Sequence, residues 1–129
     1  MDMNLMKNAV AWFEIPTQDF DRARRFYQSI FAFEMPEMNM GGMRMGILPH
    51  DRDAGGIGGA IVKGEWSQPS ATGTIVYLNG GADLSAVLDR VDKAGGKVMV
   101  PKSPIEPDMG FFAVFQDCEG NSVGLFSPK

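Results

Sequence analysis

The chain has 129 residues, 44% of them apolar, and a formal net charge of −4. This suits one packed domain over residues 1–129 and excludes a transmembrane helix, since no run reaches the ~18 apolar residues a span needs. With no basic cluster, the acidic balance argues against nucleic acid and membrane surfaces as partners and leaves a small-molecule ligand open.

The one cysteine, Cys118, has no internal disulfide partner, which fits a reducing, cytoplasmic setting. Met1 to Lys7 lacks a basic stretch followed by a long apolar one, so no secretory signal is expected.

Ala9 to Ile15 reads as a strand, with Ala11, Phe13 and Ile15 on one face and Val10, Trp12 and Glu14 on the other. Pro16 ends it. Asp19 is the expected N-cap of a helix carrying Phe20, Ala23, Phe26, Tyr27, Ile30 and Phe31 at helical spacing. Arg22, Arg24 and Arg25 fall on the wet face. Short strands are expected near Met35 to Met38, from Met43 to Leu48, and from Ile57 to Lys63. Five methionines crowd Met35 to Met45, as a loose core edge or an adaptable ligand wall.

After a connector at Gly64 to Gly73 the pattern restarts. Thr74 to Leu78 is a strand. Asp83 caps a helix with the stripe Leu84, Val87, Leu88, Val91 and Ala94, and Gly95-Gly96 stops it. Lys97 to Val100 is an edge strand ended by Pro101. Phe111 to Phe115 and Ser122 to Phe126 form a hairpin about Asp117-Cys118-Glu119-Gly120-Asn121. Phe20 and Leu84 hold equivalent places after their caps, as do Tyr27 and Val91. Two copies of one βαβββ unit are predicted, about 8–64 and 73–128, an α+β architecture with a curved mixed sheet around a cleft.

The helix run Asp19-Phe20-Asp21-Arg22-Ala23-Arg24-Arg25-Phe26-Tyr27 and the turn Asp117-Cys118-Glu119-Gly120-Asn121 together resemble the vicinal oxygen chelate superfamily. Its members include glyoxalase I, bleomycin-resistance proteins, fosfomycin-resistance enzymes and extradiol dioxygenases. Gly56-Ile57-Gly58-Gly59-Ala60, Tyr77-Leu78 and Pro107-Asp108-Met109-Gly110 resemble a bacterial glyoxalase-like group within it. The resemblance implies a homodimer. It also implies four metal-ligand positions, near Val10, Ala60, Thr74 and Gly124, and none carries an imidazole or carboxylate. Such sites usually use two imidazoles, and this chain has one histidine, His50. No metal and no cofactor are therefore expected.

On this fold the cleft face would carry Val10, Trp12, Glu14, Thr74, Val76, Leu78, Ser122 and Phe126. Trp12, Glu14, Thr74, Val76 and Phe126 are the candidate ligand-binding residues, with Trp12 and Phe126 placed to stack on a planar or cationic ligand. Glu14 is the candidate catalytic group: an apolar cleft would suit it to general-base work, whereas a rim carboxylate would be solvated or paired with Arg44. His50 reads as a surface histidine, and Cys118, among acidic neighbours, not as a nucleophile. The expected function is metal-independent binding, sequestering or sensing a small hydrophobic or aromatic molecule. The alternative is a glyoxalase-like lyase or isomerase, with displaced metal ligands or with Glu14 as base.

Overall fold

The computed structural model describes residues 8–129, so the secretory-signal reading over Met1 to Lys7 lies outside the described residues. Among the described residues, eight strands form two four-stranded mixed sheets with the same internal order. Phe13–Pro16 (β1), Glu37–Met40 (β2), Met43–Ile47 (β3) and Gly59–Lys63 (β4) assemble as β1-β4-β3-β2. Tyr77–Asn79 (β5), Lys97–Pro104 (β6), Phe111–Gln116 (β7) and Ser122–Ser127 (β8) assemble as β5-β8-β7-β6. In each sheet the first strand pairs in parallel with the last, and the remaining pairs are antiparallel. A parallel pair needs a crossover, and a helix after each first strand supplies it.

Phe20–Phe31 (α1) forms as its spacing predicts. The Asp19 carboxylate accepts from the Arg22 amide at 3.1 Å, and Phe20, Ala23, Phe26, Tyr27 and Ile30 are all buried. The second helix departs from expectation. Its stripe of Leu84, Val87, Leu88 and Val91 is buried as read, but the backbone divides into Ser85–Leu88 (α2) and Val91–Ala94 (α3). At the break the Arg90 amide reaches back only three residues, to the Val87 carbonyl at 3.0 Å, and tightens the turn.

Several strands differ in extent: β2 spans Glu37–Met40 and not Met35 to Met38, and β4 starts at Gly59 and not Ile57. β1 starts at Phe13 and not Ala9, because its sole partner β4 starts at Gly59, directly opposite Phe13. β5 starts at Tyr77 and not Thr74. β6 runs through Pro101 to Pro104, which an edge strand with two register shifts tolerates.

The helix-side faces share one core. Ile15, Ile61, Leu78, Phe115, Val123 and Leu125 pack with α1 and the Leu84 stripe. Asp117, 4% exposed, anchors the last hairpin to the first half of the chain. Tyr27 Oη donates to Asp117 Oδ2 at 2.7 Å, and Asp117 Oδ1 accepts from the Glu119 and Asn121 amides, each at 2.9 Å. Burial first, then the Asp117 charge, pushes the Tyr27 phenol well above its ordinary value. Asn121 Nδ2 donates to the Pro16 carbonyl at 2.8 Å. The Glu119 carboxylate accepts from the Gln18 and Asp19 amides and pairs with Arg22. The turn motif and the α1 motif are thus two halves of one junction.

On the other face of the first sheet, away from the helices, Met38 stands opposite Met45 and Met40 opposite Met43. Met45 packs with Ala60 and Val62, while Met38 and Met40 are exposed.

Candidate binding site

The strand alternation of β8 decides the site. Val123 and Leu125 enter the core, so Gly124 and Phe126 face the open side of the second sheet. Tyr77 is the register partner of Gly124, and Asn79 of Phe126. The Tyr77 ring occupies the space beside Gly124: a Cβ added there would come within 2.2 Å of Tyr77 Cδ2. Phe112, also opposite Phe126, meets the Tyr77 ring edge-on at 6.5 Å and 65°. Tyr77, Asn79, Ile105, Phe112 and Phe126 line a cavity of about 590 Å³. Tyr77 and Phe126 remain 50% and 40% exposed, so aromatic surface is left for a ligand.

A second cavity of about 600 Å³ shares Tyr77 and Asn79 with the first and is otherwise walled by residues such as Val10, Phe13, Ile57 and Val76. It lies along β5, an edge strand of its sheet. Among the described residues, no charged side chain lines either cavity.

Of the sequence-predicted residues, Phe126 lines the first cavity and Val76 the second. Trp12, Glu14 and Thr74 are exposed and line neither. Trp12 Nε1 donates to Glu14 Oε2 at 3.4 Å, while Arg44 pairs with Glu37 and Asp21 and not with Glu14. Among the described residues Glu14 is exposed, not enclosed by apolar groups as general-base work would require. Leu78 packs in the core and, like Val10, reaches the wall of the second cavity, while Tyr77 and Asn79 face the open side of the second sheet. The Thr74 to Leu78 run is too uniformly apolar to set its own parity, but a glycine within a strand marks close approach by another group, and Gly124 called for an aromatic partner.

His50 is exposed, its Nδ1–H donating to the Leu48 carbonyl at 3.1 Å and its ring covering Gly58. Burial and then the Asp117 charge raise the Cys118 thiol to about 11, which keeps it protonated at neutral pH.

The metal positions implied by the resemblance do not fit an ion. Gly124 is roofed by the Tyr77 ring, and Ala60 is fully buried among Met45, Val62 and their apolar neighbours. Val10 and Thr74 are exposed and outside the strands. Among the described residues, no three His, Cys, Asp or Glu side chains come together as a metal-holding group.

Residues 10–45 match the family described as bleomycin resistance protein-like N-terminal. A glyoxylase-like domain-containing protein of Didymella fabae is 27% identical over 124 residues, 94% of each chain. The chain has the fold of the vicinal oxygen chelate superfamily. TnmS3, an antibiotic binding protein from Streptomyces sp. CB03234, superposes with a TM-score of 0.63 at 24% identity, covering 95% of this chain and 97% of its own. Glyoxalase I from Zea mays superposes with a TM-score of 0.65 at 14% identity, covering 92% of this chain, which spans 45% of the maize enzyme. A vicinal oxygen chelate fold thus accommodates both a binding protein and an enzyme, and the side chains of this chain must decide between them.

Proposed function

We propose that this protein binds a small hydrophobic or aromatic molecule and holds it without metal chemistry, sequestering or sensing it. The observation that carries this reading is the Tyr77 ring lying on Gly124, where the resemblance implies a metal ligand, in a cavity completed by Phe112 and Phe126. Among the described residues such a wall offers stacking surface and no charged group. The likeness to TnmS3, described as an antibiotic binding protein, supports the same class of function. The protein acts as a cytoplasmic homodimer on this reading, and its net charge of −4 supports neither nucleic acid nor a membrane surface as partner.

The test is a thermal-shift screen of neutral aromatic compounds, with native mass spectrometry of the best hit. Hits stabilise the wild type, and Tyr77→Ala or Phe126→Ala weakens them about tenfold or more, as for loss of a central aromatic contact. Glu14→Gln leaves binding unchanged. Turnover that depends on Glu14, or a stoichiometric metal that survives dialysis, overturns the proposal.

A further inference from the structure

Asn79 stands at the junction of the two cavities, and the fold fixes the direction of its amide. Its Oδ1 accepts from the Gly81 amide at 2.8 Å. That turn is held from both sides. The Gly80 amide donates to the Phe126 carbonyl at 2.7 Å, and a Cβ on Gly80 would come within 2.7 Å of Leu84 Cβ. Only an amide oxygen can accept the Gly81 N–H, so Nδ2 and its two hydrogens point away from the turn. Among the described residues Nδ2 has no hydrogen-bond partner.

Among the described residues, the polar side chains in the two walls are Asn79 and Tyr77, and both cavities share them. A ligand carrying a formal charge would be desolvated here with no counter-ion. A neutral aromatic molecule with no acceptor would strip water from the Asn79 amide and return nothing.

We propose that Asn79 is the specificity-determining donor of the site, and that its ligand is a neutral aromatic molecule whose carbonyl acceptor lies between two apolar parts, one in each cavity. This rests on the binding reading above and adds the acceptor, its place in the ligand and the residue that reads it.

The experiment compares benzophenone, two rings flanking a carbonyl, with diphenylmethane, the same rings joined by a methylene. Binding to the wild type, Asn79→Leu and Asn79→Asp is measured by equilibrium dialysis, with circular dichroism to establish folding. The wild type prefers benzophenone about five- to tenfold, the effect of one net hydrogen bond. Asn79→Leu removes the donor, so the ratio falls to about one. Asn79→Asp keeps an oxygen for the Gly81 amide but sets a carboxylate against the carbonyl, so benzophenone loses its advantage while the turn is kept. Preference for benzophenone in both variants overturns the inference. Equal binding of both probes by the wild type overturns the inference and leaves the binding reading standing. Binding of neither probe by folded wild type overturns both.

Discussion

Gly124→Ala tests the packing at the centre of the site. The added methyl would meet three atoms of the Tyr77 ring at 2.2, 2.5 and 2.7 Å, so the ring must leave. It can leave, because Tyr77 is 50% exposed on an edge strand. A tyrosine covers about 200 Å² when buried. Half of that, about 100 Å², is at stake here, or about 2.5 kcal/mol at ~25 cal/mol per Å². Against this, Ala gains about 0.5–1 kcal/mol over Gly inside a strand. Gly124→Ala should therefore destabilise by about 1.5–2 kcal/mol, a shift of about one molar in the urea midpoint. The decisive measurement is the double-mutant cycle with Tyr77→Ala. Once the ring is gone only the backbone gain remains, so Gly124→Ala should become stabilising by about 0.5–1 kcal/mol. If the substitution costs the same in both backgrounds, Tyr77 does not rest on Gly124 and the account of the site fails.

Further outcomes follow from the junction at Asp117. Tyr27→Phe removes a buried hydrogen bond to a carboxylate and should cost about 1.5–3 kcal/mol in urea unfolding, with Asn121 Nδ2 still donating to Asp117 Oδ2 at 3.1 Å. Burial alone would raise the Glu119 carboxyl, but the Gln18 amide, Arg22 and the Asp19 amide outweigh it and hold the group below its ordinary value of 4.5. A carboxyl depressed on folding contributes stability above its unfolded pKa and loses it as pH falls through the folded one. Thermal midpoints followed from pH 7 downward should therefore drop below about pH 4.5, with a smaller drop in Glu119→Gln. At neutral pH that variant should be weaker by about 1 kcal/mol, the loss of a charge-assisted bond.

The fold was legible because its signals are local or repeated. Asp19 caps α1 as read, whereas the N-cap of α2 is Leu84, and Asp83, one residue earlier, accepts from the Ser85 amide at 2.9 Å. The α1 stripe has a period that only one secondary structure satisfies. Strand ends were harder, since the start of β1 depends on where its partner β4 begins, a fact that lies 46 residues away in the register of Phe13 with Gly59. The site was harder still. Phe126 was found because Val123 and Leu125 fix the parity of β8. Tyr77 and Asn79 were missed because Ile75, Val76, Tyr77 and Leu78 carry no alternation, and only pairing with Gly124 and Phe126 tells which side faces out. Glu14 drew attention as a carboxylate on an apolar strand, but β1 is an edge, and an edge leaves its open-face residues in water.

The junction at Asp117 has a bearing on the order in which the chain can mature. Its bonds to Tyr27, Pro16 and Asp19 span 90, 105 and 100 residues. During synthesis the first sheet and α1 are therefore complete long before their polar partners exist. Until Asp117 to Asn121 is made, the phenol of Tyr27 lacks its acceptor, and the α1 stripe can pack on Ile15 and Ile61 but not yet on Phe115, Val123 and Leu125. Contacts of such separation slow folding and prolong the exposure of sticky surface. Late closure makes the final hairpin the latch of the molecule, and a ribosome stalled before it would hold a nascent chain dependent on chaperones.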